Sequence, residues 1–144
     1  MLFYFTATGN SLYVAKKRDK HILSIPQELK LKNRHYQDKK IGIVSPVYAG
    51  ELPQIVRKFI KNTQFDTDYF YIILTYGKSD SIASTWSQSF CEKNGIHVNY
   101  INSILMVDNY LPSFDMEEEI SLDKKVDEQI NKVYNDIKVG TEFI

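Results

Sequence analysis

Apolar residues along the chain gather into short runs separated by stripes at helical spacing. Residues 2–5, 21–25, 40–45, 69–75 and 98–107 read as strands, and several are apolar at nearly every position, as strands covered on both faces are. Leu12, Val14 and Ala15 begin a helical stripe directly after the first run. After the third, Leu52, Ile55, Val56, Phe59 and Ile60 fall at i, i+3, i+4, i+7 and i+8, with Pro53 suited to the first turn. Ile82, Trp86 and Phe90 repeat at i+4 after the fourth run, and Val126, Ile130, Val133 and Ile137 form the last stripe. The second connection, PQELKLKNRHYQDK at residues 26–39, is polar and irregular and predicts a loop or a short helical turn.

Strand and helix therefore alternate, which predicts an α/β fold with a doubly wound five-stranded parallel sheet and right-handed crossovers. No internal repeat, low-complexity tract or linker divides residues 1–144, so one domain is expected. A chain of this length, 43% hydrophobic, can bury one ordinary core. Eighteen Lys and Arg balance eighteen Asp and Glu, which argues against a dominant nucleic-acid surface. Cys91 stands alone, so an internal disulfide, a four-thiolate iron-sulfur cluster and a cysteine-based zinc site are excluded, and any redox chemistry rests on an organic cofactor. His21, His35 and His97 occupy no metal-ligand spacing, and no metal site is expected. No apolar run approaches the ~20 residues of a membrane span, and the first strand begins at Met1, so the expected compartment is the cytoplasm. Trp86 and Cys91 read as core packing, and the acidic residues 117–119 suit the start of the last helix.

In open α/β sheets ligands bind beyond the carboxyl ends of the strands. Four loops occupy those ends here: TATGNS, SPVYAGEL, TYGKSD and VDNYLP. The first has neither GxxxxGKS/T nor GxGxxG, so it presents no lysine to a γ-phosphate and no dinucleotide fingerprint. It offers the hydroxyls of Thr6, Thr8 and Ser11, the side chain of Asn10 and the first amides of a helix. Such neutral donors, with the positive end of the helix dipole, hold a phosphate monoester without a cationic side chain. Gly9 permits the left-handed backbone that the turn requires. The plainer alternative is that Thr8 or Asn10 only caps the helix; three hydroxyls within six residues favour the anion site.

TATGNS resembles the phosphate-binding loop of flavodoxins, T/S-x-T-G-x-S/T. PVYAGELPQIVRKFI, TYGKS and VDNYLP are similar to loops of flavodoxin-like domains in bacteria, some of them fused to ferredoxin modules. The resemblance implies strand order 2-1-3-4-5 with FMN bound non-covalently where the order reverses. It implies that Thr6, Ala7, Thr8, Gly9, Asn10 and Ser11 wrap the FMN phosphate. Pro46, Val47, Tyr48, Ala49 and Gly50 supply one wall for the ring, and Thr75, Tyr76, Gly77 and Lys78 the other. Tyr48 and Tyr76 are favoured over Tyr110 as stacking partners; Asn109 and Tyr110 either cover the edge of the site or cap the fifth strand. The Ala49-Gly50 peptide is expected to turn toward the flavin on reduction if Gly50 visits positive φ, or else to be an ordinary turn before the next helix.

The function so implied is single-electron shuttling between redox proteins, a reductase donor and an acceptor such as a ferredoxin, without a catalytic acid, base or nucleophile. Alternatives on the same fold are an NAD(P)H-dependent FMN or quinone reductase, for which no basic pocket or second nucleotide loop is evident, and an activator of a ribonucleotide reductase. A phosphoacceptor domain is rejected, because FTAT and SPVY place no acidic residues at the ends of strands one and three. No nucleic acid or membrane partner is expected, and a monomer is favoured. Three features depart from the family: many flavodoxins are strongly acidic whereas this chain is formally neutral, the second connection is short, and so is the run between Ser11 and His21.

Overall fold

Burial of every residue from 41 to 45 and from 69 to 75 makes two strands the centre of the molecule. In the computed structural model they pair in parallel from Lys40↔Tyr69 to Pro46↔Thr75. The structure describes residues 1–7, 9–18, 21–76, 82–106 and 116–144, with the backbone alone for 116–124. The elements in chain order are β1 (Leu2–Tyr4), α1 (Asn10–Arg18), β2 (Ile22–Ser24), α2 (Ile25–Glu28), β3 (His35–Gln37), β4 (Lys40–Pro46), α3 (Gln54–Lys61), β5 (Gln64–Asp66), β6 (Tyr69–Tyr76), α4 (Ala83–Lys93), β7 (Tyr100–Leu105) and α5 (Met116–Val139). Among the described residues no helix is long and apolar enough to cross a membrane.

Five strands form one parallel sheet in the order β2-β1-β4-β6-β7. The running order 2-1-3-4-5 expected from the sequence becomes 2-1-4-6-7, because two short strands absent from that reading enter the numbering. Alternate side chains leave a strand on opposite faces, so the sheet divides the core in two. Val44, Tyr71 and Ile73 face α1 and α5, meeting Val14, Val126, Ile130 and Ile137. Ile41, Ile43, Phe70, Ile72 and Leu74 face the other way, toward Ile25 of α2, Val56 and Phe59 of α3, and Ala83 and Cys91 of α4. Gly42 lies opposite Tyr71 in register, and a Cβ there would sit 2.0 Å from the tyrosine ring. The bare backbone gives that ring its place.

Residues 26–39, expected to be a loop or helical turn, hold α2 and then β3, which pairs in parallel with β5 as a separate ribbon. Both strands are three residues long with polar outer positions, so neither shows a period worth reading. Only their central residues turn inward: Tyr36 and Phe65 close a cluster of rings around Phe3, at 4.7 and 6.1 Å between centroids. A second correction concerns α4. Ile82 precedes the helix and is 62% exposed, while Ala83, Ser87 and Cys91 form its buried stripe. Small residues let the helix lie close to the sheet, and the larger Trp86 and Phe90 flank it as a stacked pair 5.3 Å apart.

The outer edge of β7 is closed without another full strand. Ile101 N–H donates to Phe143 C=O at 2.7 Å and Phe143 N–H to Asn99 C=O at 3.0 Å. Further along, the Gln129 amide accepts from Leu105 N–H at 2.9 Å and donates to Leu105 C=O at 3.3 Å. Such cover removes the template that an open sheet edge presents to other chains.

Several phenols are tied into the packing, among them Tyr36, which donates to Glu28 at 3.0 Å, and Tyr69, which donates to the carbonyl of Thr141. Burial, aided by Glu28 for Tyr36 and by Asp136 for Tyr69, pushes both up from 10.0 to about 12. Because folding raises these values, their stabilisation is complete below pH 10 and is lost as pH climbs toward 12. An alkaline titration is expected to show late-ionising tyrosines whose transition coincides with loss of helical circular dichroism. Ionisation of all 10 tyrosines near their ordinary value with the fold intact would contradict this.

Candidate cofactor site

The site begins where β1 gives way to α1. Phe5 N–H extends the strand by bonding Val44 C=O at 3.0 Å. Thr6 Oγ1 then accepts from Gly9 N–H at 2.9 Å, folding the loop back on itself. Gly9 sits at φ +95°, a left-handed conformation that side chains resist. Its carbonyl accepts Tyr13 N–H at 3.0 Å, the first bond of the helix. The amides of Asn10, Ser11 and Leu12 therefore open α1, at positions where a helix supplies no acceptor of its own. Ser11 is buried, and its hydroxyl lies 3.0 Å from that of Thr75 on β6, also buried.

The loop after β4 reaches the same place. Val47 N–H donates to Thr75 C=O at 3.2 Å, so the chain follows the sheet one residue past the strand. Tyr48 and Glu51 then exchange both backbone bonds, at 2.9 and 3.0 Å, around Ala49 and Gly50. Both turn residues have positive φ, +52° and +79°. That combination marks a two-residue hairpin turn of type I′, in which an alanine is strained and a glycine is not. Past the turn, Glu51 lies 3.8 Å from Arg57, whose guanidinium stands over the Trp86 ring.

These segments enclose a cavity of about 180 Å³. Thr6, Ala7, Asn10 and Ser11 line it from the first loop, Pro46, Val47 and Tyr48 from the second, and Thr75 and Tyr76 from the third. Nine of the residues expected from the sequence thus meet at one place. Gly9, Ala49 and Gly50 shape the same loops without lining the cavity. Thr8, Gly77, Lys78, Asn109 and Tyr110 lie outside the described residues. Met106 joins the lining although the sequence reading omitted it; its N–H donates to Tyr76 C=O at 2.8 Å. Nothing local distinguishes this methionine from a core residue, and only strand pairing brings it to the cavity. Among the described residues, no Lys, Arg, Asp, Glu, His or Cys lines the space.

No protein-family model matches the chain, and no curated protein matches it either. Solved structures do. A flavoprotein in complex with FMN from Lactobacillus acidophilus NCFM superposes with TM-score 0.53 at 14% identity, over 71% of this chain and 90% of that one. A flavodoxin from the domain Archaea gives 0.51 at 16% identity, over 90% of this chain and 96% of its own. An NAD(P)H:quinone oxidoreductase from Methanothermobacter marburgensis gives 0.55 at 9% identity, with coverages of 90% and 96%. The chain has the flavodoxin-like fold.

Within a flavodoxin-like sheet the cavity occupies the expected pole, beyond the carboxyl ends of β1, β4 and β6. Among the described residues its chemistry is that of hydroxyls, amides, phenols and apolar walls, which can bind and orient a ligand. The turn that flanks it depends on Gly50. A Cβ there would meet Ile82 at 2.9 Å and would hold an L-residue at left-handed φ. Gly50→Ala is expected to lower stability by roughly 1–2 kcal/mol, read as a shift in denaturation midpoint. An unchanged midpoint would show that the turn does not hold this conformation.

Proposed function

We propose that residues 1–144 act as one FMN-binding unit that carries single electrons between redox proteins. The observation that carries this reading is the pairing, in one cavity, of an uncharged helix start with Tyr48 of the β4 turn and Tyr76 at the end of β6. The residues fit the group. The amides that open α1, with Thr6, Asn10 and Ser11, suit a phosphate monoester: several neutral donors and a helix dipole converge on one point. Pro46, Val47 and Tyr48 on one side, and Tyr76 and Met106 on the other, suit a flat heteroaromatic ring, with phenols able to stack while their hydroxyls reach water. FMN, when bound, supplies one- and two-electron transfer.

The polypeptide's own tasks are then to hold the anionic tail, to flank the ring with apolar surface and to limit water. The carrier reading takes the phenols and hydroxyls of the lining as groups that bind and orient the flavin. The likeness to an NAD(P)H:quinone oxidoreductase keeps a second reading in view: direct reduction by a nicotinamide on the same fold. A reductase needs room for a second nucleotide.

Titration with FMN, followed by quenching of flavin fluorescence, is expected to give a dissociation constant of roughly 1 μM or below. Failure to bind FMN, or preferential retention of FAD, would overturn the assignment. Mixing the loaded protein anaerobically with NADH or NADPH separates the two readings. Bleaching only when a partner reductase is added supports the carrier, and prompt bleaching by the nicotinamide alone supports the reductase.

A further inference from the structure

The buried hydroxyl pair joins the start of α1 to the end of β6, across 64 positions of sequence. Both residues line the cavity, and each is almost wholly buried, at 1% for Ser11 and 3% for Thr75. Thr75 is fixed on both sides by the sheet: it pairs with Pro46 on one neighbour and Ile104 on the other, and its carbonyl accepts Val47 N–H. Ser11, by contrast, belongs to the first turn of a helix, where ends fray most easily. The sheet residue is the rigid member.

Two hydroxyls that bond each other use one hydrogen between them and leave the other for an acceptor beyond the pair. The geometry allows either oxygen to donate. An anion at the start of α1 decides the direction: Ser11, which belongs to that turn, gives its hydrogen to the anion, and Thr75 gives its own to Ser11. Donation by Thr75 polarises the Ser11 hydroxyl and strengthens its outward bond.

We infer that Thr75 is a positioning residue for anion binding, fixing the rotamer and donor direction of Ser11 rather than touching the anion itself. This rests on the FMN reading above, because it is the phosphate of that cofactor that Ser11 would meet. The inference gives Thr75 a different role from the ring wall expected for it in the sequence. It also predicts that loss of the Thr75 hydroxyl is felt by the phosphate end of the ligand alone.

The test compares FMN with riboflavin, which has the same ring and no phosphate, on wild-type protein and on Thr75→Val, Thr75→Ser, Ser11→Ala and the Ser11→Ala/Thr75→Val double variant. Thr75→Val keeps shape and is expected to weaken FMN roughly tenfold, the scale of one lost hydrogen bond to a charged site, with riboflavin affinity unchanged. Thr75→Ser restores FMN affinity. In the Ser11→Ala background Thr75→Val adds nothing, because the pair acts as a unit. Equal weakening of both ligands, no weakening of either, or additive losses in the double variant overturn the positioning role while leaving the cofactor assignment standing. Wild-type protein that leaves FMN unbound overturns the assignment and this role together.

Discussion

Parallel pairing of β4 with β6, buried on both faces, is the constraint from which the rest follows. Strands that all run one way must each be followed by a crossover, so their exits gather at a single pole of the sheet. That pole collects the β1 exit, the β4 turn and the end of β6, which are remote in sequence. A cavity built of two loops and a strand end thus needs no tuning of these segments toward one another; the direction of the strands has already brought them together.

What those loops contain decides what the cavity can hold. A helix start contributes about 0.3–1 kcal/mol toward a nearby anion when exposed and up to ~2 when partly buried. That is modest, so an anion site with no cation among its described residues needs several donors converging on the same point. The bond from Gly9 to Thr6 folds the loop, Gly9 takes a left-handed turn into the helix, and the Ser11 hydroxyl lies beside that of Thr75.

The legible parts of the sequence were those where one local pattern admits one structure. The central strands are apolar at almost every position, and the stripes of Val56, Phe59 and Ile60 and of Val126, Ile130, Val133 and Ile137 admit only a helix with one buried face. The loop residues of the cavity were legible for a different reason, a resemblance of TATGNS and its companions to flavodoxins. Where short elements lean on tertiary neighbours, the pattern failed. His35–Gln37 and Gln64–Asp66 are strands only because Tyr36 and Phe65 reach the ring cluster around Phe3. In α4 the eye follows large residues, Ile82, Trp86 and Phe90, while the sheet selects the small ones. Met106 and the Thr75 hydroxyl owe their places to strand register, which no window of sequence reveals.

The measurement that tests the central claim most directly is a crystal structure of the chain grown with FMN. The account predicts the phosphate at the start of α1, within hydrogen-bonding reach of the amides of Asn10, Ser11 and Leu12 and of the Ser11 hydroxyl, with no lysine or arginine side chain touching it. A phosphate bound at another part of the fold, or held there by an ion pair, would contradict it.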